Sequence, residues 1–250
     1  PMPDTNLPFD PSRISFGIGQ PVPRQEDPKL LRGEGRYTDD IALPGQLFAH
    51  VVRSPYAHGV LRGVDTAAAK AAPGVQAVIT AADLVGYGEM VCAMPFPGLK
   101  TTRRPALATG RVRWVGDPVA VVVAETRMQA KDAAELVELD VEPLDAVTEA
   151  SQAADGPALY DDIPGNCVLD FAFGDRAALD AAFAKAAHVQ RLSIRNNRVV
   201  VAAMEPRSAL ASIEEGRFVL RVGCQGVFGL RNQMADDVLR VPREQVRVLT

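Results

Sequence analysis

A glutamine stands alone at the corner of the segment "RVGCQGVFGLRNQMADDVLRVPREQVRVLT" (221–250). An apolar strand pattern over 217–223 runs into Gln225, and a helical pattern opens near Gly226. Such a corner lies at the carboxyl edge of a strand, where α/β proteins present groups to ligands. A carboxamide offers donors and an acceptor without adding charge. Gln225 is therefore suited to hydrogen-bond an oxo group of a metal centre without competing as a ligand. The competing reading is structural: the side chain caps the free amides at the start of the helix. Position alone favours the cap.

The other candidates for chemistry are weaker. Glu205 and Arg207 in "AAMEPRSAL" flank a proline, and an isolated ion pair across it is the preferred reading over acid–base work. His50, His58 and His188 are far apart, lack metal-ligand spacing and read as structural or surface residues. Cys92, Cys167 and Cys224 are odd in number and widely spaced, which fits reduced cytoplasmic thiols, each a small buried hydrophobe. No C-x-x-C pair suggests zinc or an iron–sulfur cluster. "RGEGRY" (32–37) lacks the third glycine of a dinucleotide loop and reads as a turn. The residues alone supply no self-contained active site.

Hydrophobic residues make up 47% and charged residues 23% of the chain, the shares of an ordinary soluble globular protein. A net charge of −4 leaves no electrostatic footprint for nucleic acid or an anionic membrane surface. The longest apolar runs, such as "PVAVVVA" (118–124), are too short to span a bilayer. The chain opens with no basic and then apolar leader, so a cytoplasmic location is expected.

Four segments follow from periodicity and punctuation. Residues 1–27 are proline-rich and aperiodic, an extended arm. Residues 28–150 form one module in which strands and helices alternate: strands at 45–54, 75–80 and 118–125, and a short helix at 65–72 opened by Asp65. The run 118–125 is apolar on both faces, the pattern of a central strand, with Val121 and Val123 expected to be buried. Ala130, Ala133, Ala134 and Val137 make the stripe that packs a helix back on it, and 137–147 returns as another strand. Residues 151–174 read as a surface linker.

From Asp175, a plausible N-cap, a helix carries Leu179, Ala182, Phe183 and Ala186 on one stripe. Residues 188–196 alternate as a half-exposed strand, and a hairpin turns at 214–216. The helix over 226–240 shows Val227, Leu230, Met234 and Val238 on one face. A last strand begins at 244–249, with Val246, Val248 and Leu249 expected to lack support. The fold class is mixed, α+β to α/β.

Long ordered stretches resemble one family. "GRYTDDIALPGQL", "RSPYAHG", "VGDPVAVVVAET" and "MEPR", with the run from "CQGVFGLRNQ" onward, are similar to the molybdenum-binding large subunit of the xanthine dehydrogenase/aldehyde oxidase family. The resemblance implies that 28–150 is an α/β hammerhead domain. It also implies that 175–250 is an incomplete first part of a molybdopterin-binding domain. It implies a molybdenum–pterin cofactor and an oxidoreductase that hydroxylates a carbon of an aldehyde, N-heterocycle or related small substrate, with water as oxygen source. Iron–sulfur clusters and FAD are expected on partner subunits. In this family a glutamine matching Gln225 hydrogen-bonds an oxo ligand of the molybdenum, which raises the ligand-facing reading above the cap. No catalytic residue is expected within these 250 residues; the glutamate base and the family's glycine-rich turn belong to the remaining part of the large subunit. The alternative is a noncatalytic binding or assembly module that keeps the hammerhead fold without cofactor.

Overall fold

The computed structural model describes residues 24–91, 94, 96–197, 199–203 and 205–250. Most of the expected arm lies outside them; its end already enters a short helix, α1 (Asp27–Leu31). Gly33 follows α1 at φ +72°, so "RGEGRY" is a turn, as read from the sequence.

Residues 48–143 build two small antiparallel sheets. The strands are β1 (Phe48–Arg53), β2 (Gly59–Asp65), β3 (Val75–Thr80), β4 (Arg111–Val112), β5 (Pro118–Ala124) and β6 (Glu138–Pro143). Their orders are β1-β5-β3 and β4-β2-β6. The apolar run does become the central strand, paired on both sides. Its faces are unequal. Ala120 and Val122 are buried against Ala133, Ala134 and Val137, at and beyond the end of helix α3 (Arg127–Ala134). Val119 joins the core of the second sheet with Ala108 and Val112. Val121 and Val123, expected to be buried, are only half-buried, because that core reaches the Val119 end of this face and no further.

Local chemistry fixes the helix starts. The Thr126 hydroxyl accepts the Gln129 N–H at 3.2 Å and opens α3. Helix α2 (Ala67–Ala71) begins one residue later than an Asp65 cap would give; Asp65 still accepts the Ala67 N–H at 2.9 Å.

Two of the family-like motifs turn out to be ties. In "VGDP", the buried Asp117 accepts the Arg113 N–H at 3.0 Å, while its own carbonyl receives the Ser54 N–H at 2.9 Å. Burial pushes the Asp117 carboxyl up from the usual carboxylate range. In "RSPYAHG", buried His58 brings Nδ1 within 2.8 Å of the Asp145 carbonyl, and the Leu144 N–H bonds His58 O at 3.0 Å. His50 and His188 are exposed.

The stretch expected as a linker is pinned to this module. The Arg113 guanidinium stands 4.4 Å above the Tyr160 ring, and its Nε donates to Leu159 O at 2.9 Å. Helix α4 (Arg176–Lys185) starts at Asp175, whose carboxylate accepts the Ala178 N–H at 3.0 Å. Its apolar stripe, expected to pack, is exposed: no residue of α4 is buried. Residues 188–196, expected as a strand, are exposed and, among the described residues, join no sheet. A strand needs a neighbour for its N–H and C=O groups, and the described residues provide none there.

The final sheet is β7 (Ala209–Glu214), β8 (Arg217–Val222) and β9 (Val246–Leu249), in the order β7-β8-β9. Glu215 at φ 51° and Gly216 at φ 77° form the hairpin turn, a two-residue loop with both residues left-handed. Helix α5 (Val227–Gln233) runs into a π-helical turn (Met234–Leu239) before β9 returns parallel to β8. The extra residue of the π turn shifts the helical phase. Leu239, not the expected Val238, packs with Val227, Leu230 and Met234 against Ala235, Val246 and Val248. Val246 and Val248, expected to lack support, are buried by this helix.

Of the cysteines, Cys167 is exposed rather than buried, Cys224 packs half-buried against the last core, and Cys92 lies outside the described residues. Among the described residues no helix is long and apolar enough to cross a membrane.

Candidate functional site

The corner after β8 gathers the features that point toward a ligand. Strand β8 ends at Val222, Gly223 and Cys224 continue, and the chain bends at Gln225 before α5. The parallel return of β9 makes this a strand–helix–strand unit, with Gln225 at the carboxyl end of its first strand. Gln225 is exposed, and among the described residues its carboxamide makes no hydrogen bond. The N-cap position belongs to Gly226, which has no side-chain cap. The capping reading therefore fails in this structure, and the carboxamide is free for a partner.

The surroundings suit a flat group approaching closely. A Cβ at Gly226 or Gly229 would meet nothing within 4 Å. Phe228 is 71% exposed between them. The Arg231 guanidinium stands 5.5 Å from its ring centre and donates to Asn232 Oδ1 at 2.9 Å. The Cys224 N–H reaches Thr250 Oγ1 at 3.4 Å and ties the corner to the end of β9.

Glu205 enters the corner from the other side. A Cβ at Gly223 would stand 3.2 Å from Glu205 Oε1, so glycine lets the carboxylate lie against the turn. Among the described residues Glu205 forms no ion pair with Arg207; the backbone carries it to Gly223 instead. Sequence reading missed this contact. Glycine immediately before "CQ" is the signal that marks it.

A second feature missed from sequence is the seat of the helix that follows Gln225. The segment 86–91 of the first module lies along it: the Gly88 N–H donates to Val238 O at 2.7 Å, and Gln233 Nε2 donates to Val91 O at 2.7 Å. Arg240 Nη1 adds a contact to Gly86 O at 3.4 Å. Beyond the π turn, Arg243 hydrogen bonds hold the Asp236 carboxyl below its usual range.

Among the described residues no three His, Cys, Asp or Glu converge as metal ligands. What the corner provides is a neutral hydrogen-bonding amide beside open backbone. An amide placed this way would suit one hydrogen-bond contact to a bound metal–pterin group.

Two family models match consecutive stretches of the chain. Residues 32–145 match the family model described as aldehyde oxidase and xanthine dehydrogenase, a/b hammerhead domain. Residues 159–250 match the molybdopterin cofactor-binding domain. The nicotine 6-hydroxylase large subunit of Paenarthrobacter nicotinovorans is 42% identical over 214 residues, which are 83% of this chain and 26% of that protein. The carbon monoxide dehydrogenase large chain of Afipia carboxidovorans is 37% identical, over 80% of this chain and 26% of that one. Among solved structures, quinoline 2-oxidoreductase from Pseudomonas putida 86 superposes with a TM-score of 0.83 at 37% identity, covering 92% of this chain and 30% of that chain. The chain spans about a quarter of the length of these curated relatives.

Proposed function

The chain belongs to the molybdenum-hydroxylase large subunits of the xanthine dehydrogenase/aldehyde oxidase family, and from that premise we propose that it forms the glutamine-bearing side of a molybdenum–pterin site. The reaction is oxidative hydroxylation of a ring carbon beside nitrogen in a small N-heterocycle, with water as the oxygen source. Two similar proteins, the nicotine 6-hydroxylase large subunit and quinoline 2-oxidoreductase, support the N-heterocycle over the aldehyde. The observation that carries the reading is the free, exposed carboxamide of Gln225 at the mouth of the strand–helix–strand unit.

The bound cofactor supplies the metal centre that oxidises the substrate carbon and passes the electrons on. This chain's residues act on geometry. Gln225 would hold the group by donating a hydrogen bond from its amide, helping to orient it. Gly226 and Gly229 keep the approach clear. Segment 86–91 hydrogen-bonds the helix that follows this corner. Further large-subunit sequence supplies the glutamate base and most cofactor contacts, consistent with the share of the relatives that this chain covers. An iron–sulfur subunit and a FAD subunit take the electrons, and the assembly works in the cytoplasm.

The test is Gln225→Ala in the assembled complex. A lost hydrogen bond to a charged centre is worth about 1.5–3 kcal/mol, so turnover should fall roughly ten- to a hundred-fold, with metal and pterin content retained. Unchanged turnover would defeat this role. A natural complex that purifies without molybdenum or pterin would favour the noncatalytic assembly module instead.

A further inference from the structure

We infer that the segment 86–91 of the hammerhead module is the positioning device for Gln225, acting through Gln233 and the π turn. The inference rests on the reading of Gln225 given above. Helix ends leave their last carbonyls without intrahelical partners. Here the Gly88 N–H fills that need at Val238 O, at 2.7 Å. Gln233 Nε2 holds Val91 O at 2.7 Å, seven residues before Arg240 reaches Gly86. The two modules therefore meet along the helix that starts two residues after Gln225.

The approach is too close for any residue but glycine at position 88. A Cβ there would overlap the backbone carbonyl of Asp237. Neither backbone moves aside as a flexible side chain would, so the contact fixes the distance between segment and helix. The π turn brings this part of the helix into register with the segment, as it also exchanges Val238 for Leu239 in the core. π turns recur at functional sites for this kind of local re-aiming. Small displacements of a positioned group cost rate steeply even when the change is remote from the chemistry. The segment thus sets where the carboxamide stands through its hold on the helix.

The experiment uses the assembled complex with Gln233→Met, which removes the donor at similar length, and Gln233→Lys, which keeps a donor. Gln233→Met should lower kcat about two- to ten-fold with KM unchanged. It should also alter the molybdenum(V) paramagnetic resonance signal and speed hydrogen exchange of the amides 226–233, with or without cofactor loaded. Gln233→Lys should restore all three. Gly88→Ala should shift the same readouts further in the same direction. Wild-type kcat, signal and exchange in Gln233→Met, while Gln225→Ala is impaired, would overturn the inference. If Gln225→Ala is itself silent in rate and signal, the underlying reading fails instead.

Discussion

Single side chains divide here into one that is free and several that are tied. Gln225 keeps an uncommitted amide at an exposed bend, whereas Asp117 and His58 lie buried and bonded to backbone. The Asp117 carboxyl has a clear energetic consequence. Its burial raises the folded-state value above the unfolded one, so the folded protein binds the proton more tightly. The carboxylate therefore costs stability above its folded value, and the cost disappears as pH falls below the ordinary carboxylate range. Asp117→Asn keeps an acceptor for the Arg113 N–H and removes the titration. We expect wild type to lose melting temperature relative to this variant as pH rises through and above the ordinary carboxylate range. Parallel melting profiles would show that the charge carries no such penalty. At this scale sequence was a partial guide. Gln225 was visible from its place between a strand and a helix. The contact of Glu205 with Gly223 was not, because it depends on a backbone path rather than a residue pattern.

Elements were legible wherever both partners of a pairing lie within the described chain. The run 118–124 forms a central strand because its neighbours β1 and β3 are present, and the hairpin at 214–217 follows from local turn chemistry. Helix α4 and residues 188–196 carry equally good periodicity, yet no residue of the helix is buried and, among the described residues, the 188–196 stretch joins no sheet. Periodicity reports which face must be covered, not what covers it. The π turn escaped for a different reason: a 3.6-residue period fits 227–238 well, and one inserted residue changes only which side chain comes next. That produces a sharp expectation. Leu239→Ala should cost about 1–3 kcal/mol through lost packing on Val246 and Val248. Val238→Ala should cost under about 1 kcal/mol, since Val238 is not part of that core. Thermal or denaturant unfolding compares the two directly. A larger loss at Val238 would mean that the helix keeps a regular α phase.

The molecule as a whole divides into covered and uncovered parts. The two sheets of residues 48–143 close cores of their own, and the β7-β8-β9 sheet is closed on one side by α5 and the π turn. Between them, Phe173 (97%), Leu192 (79%), Ile194 (77%) and Val200 (86%) stand exposed in a chain that spans about a quarter of its curated relatives. Exposed apolar side chains along unpaired backbone favour association with whatever covers them. Expressed as residues 1–250 alone, the protein should therefore self-associate, bind a hydrophobic dye and be cleaved first by protease within 188–196. Addition of further large-subunit sequence that pairs this stretch should suppress all three, because burying several such side chains contributes about 1.5–3 kcal/mol each. The stable cores predict that protease leaves 48–85 and 209–249 intact longer, so fragment masses distinguish local exposure from global unfolding. A monomer resistant across 188–196 would show that these apolar residues find their cover within the 250 residues themselves.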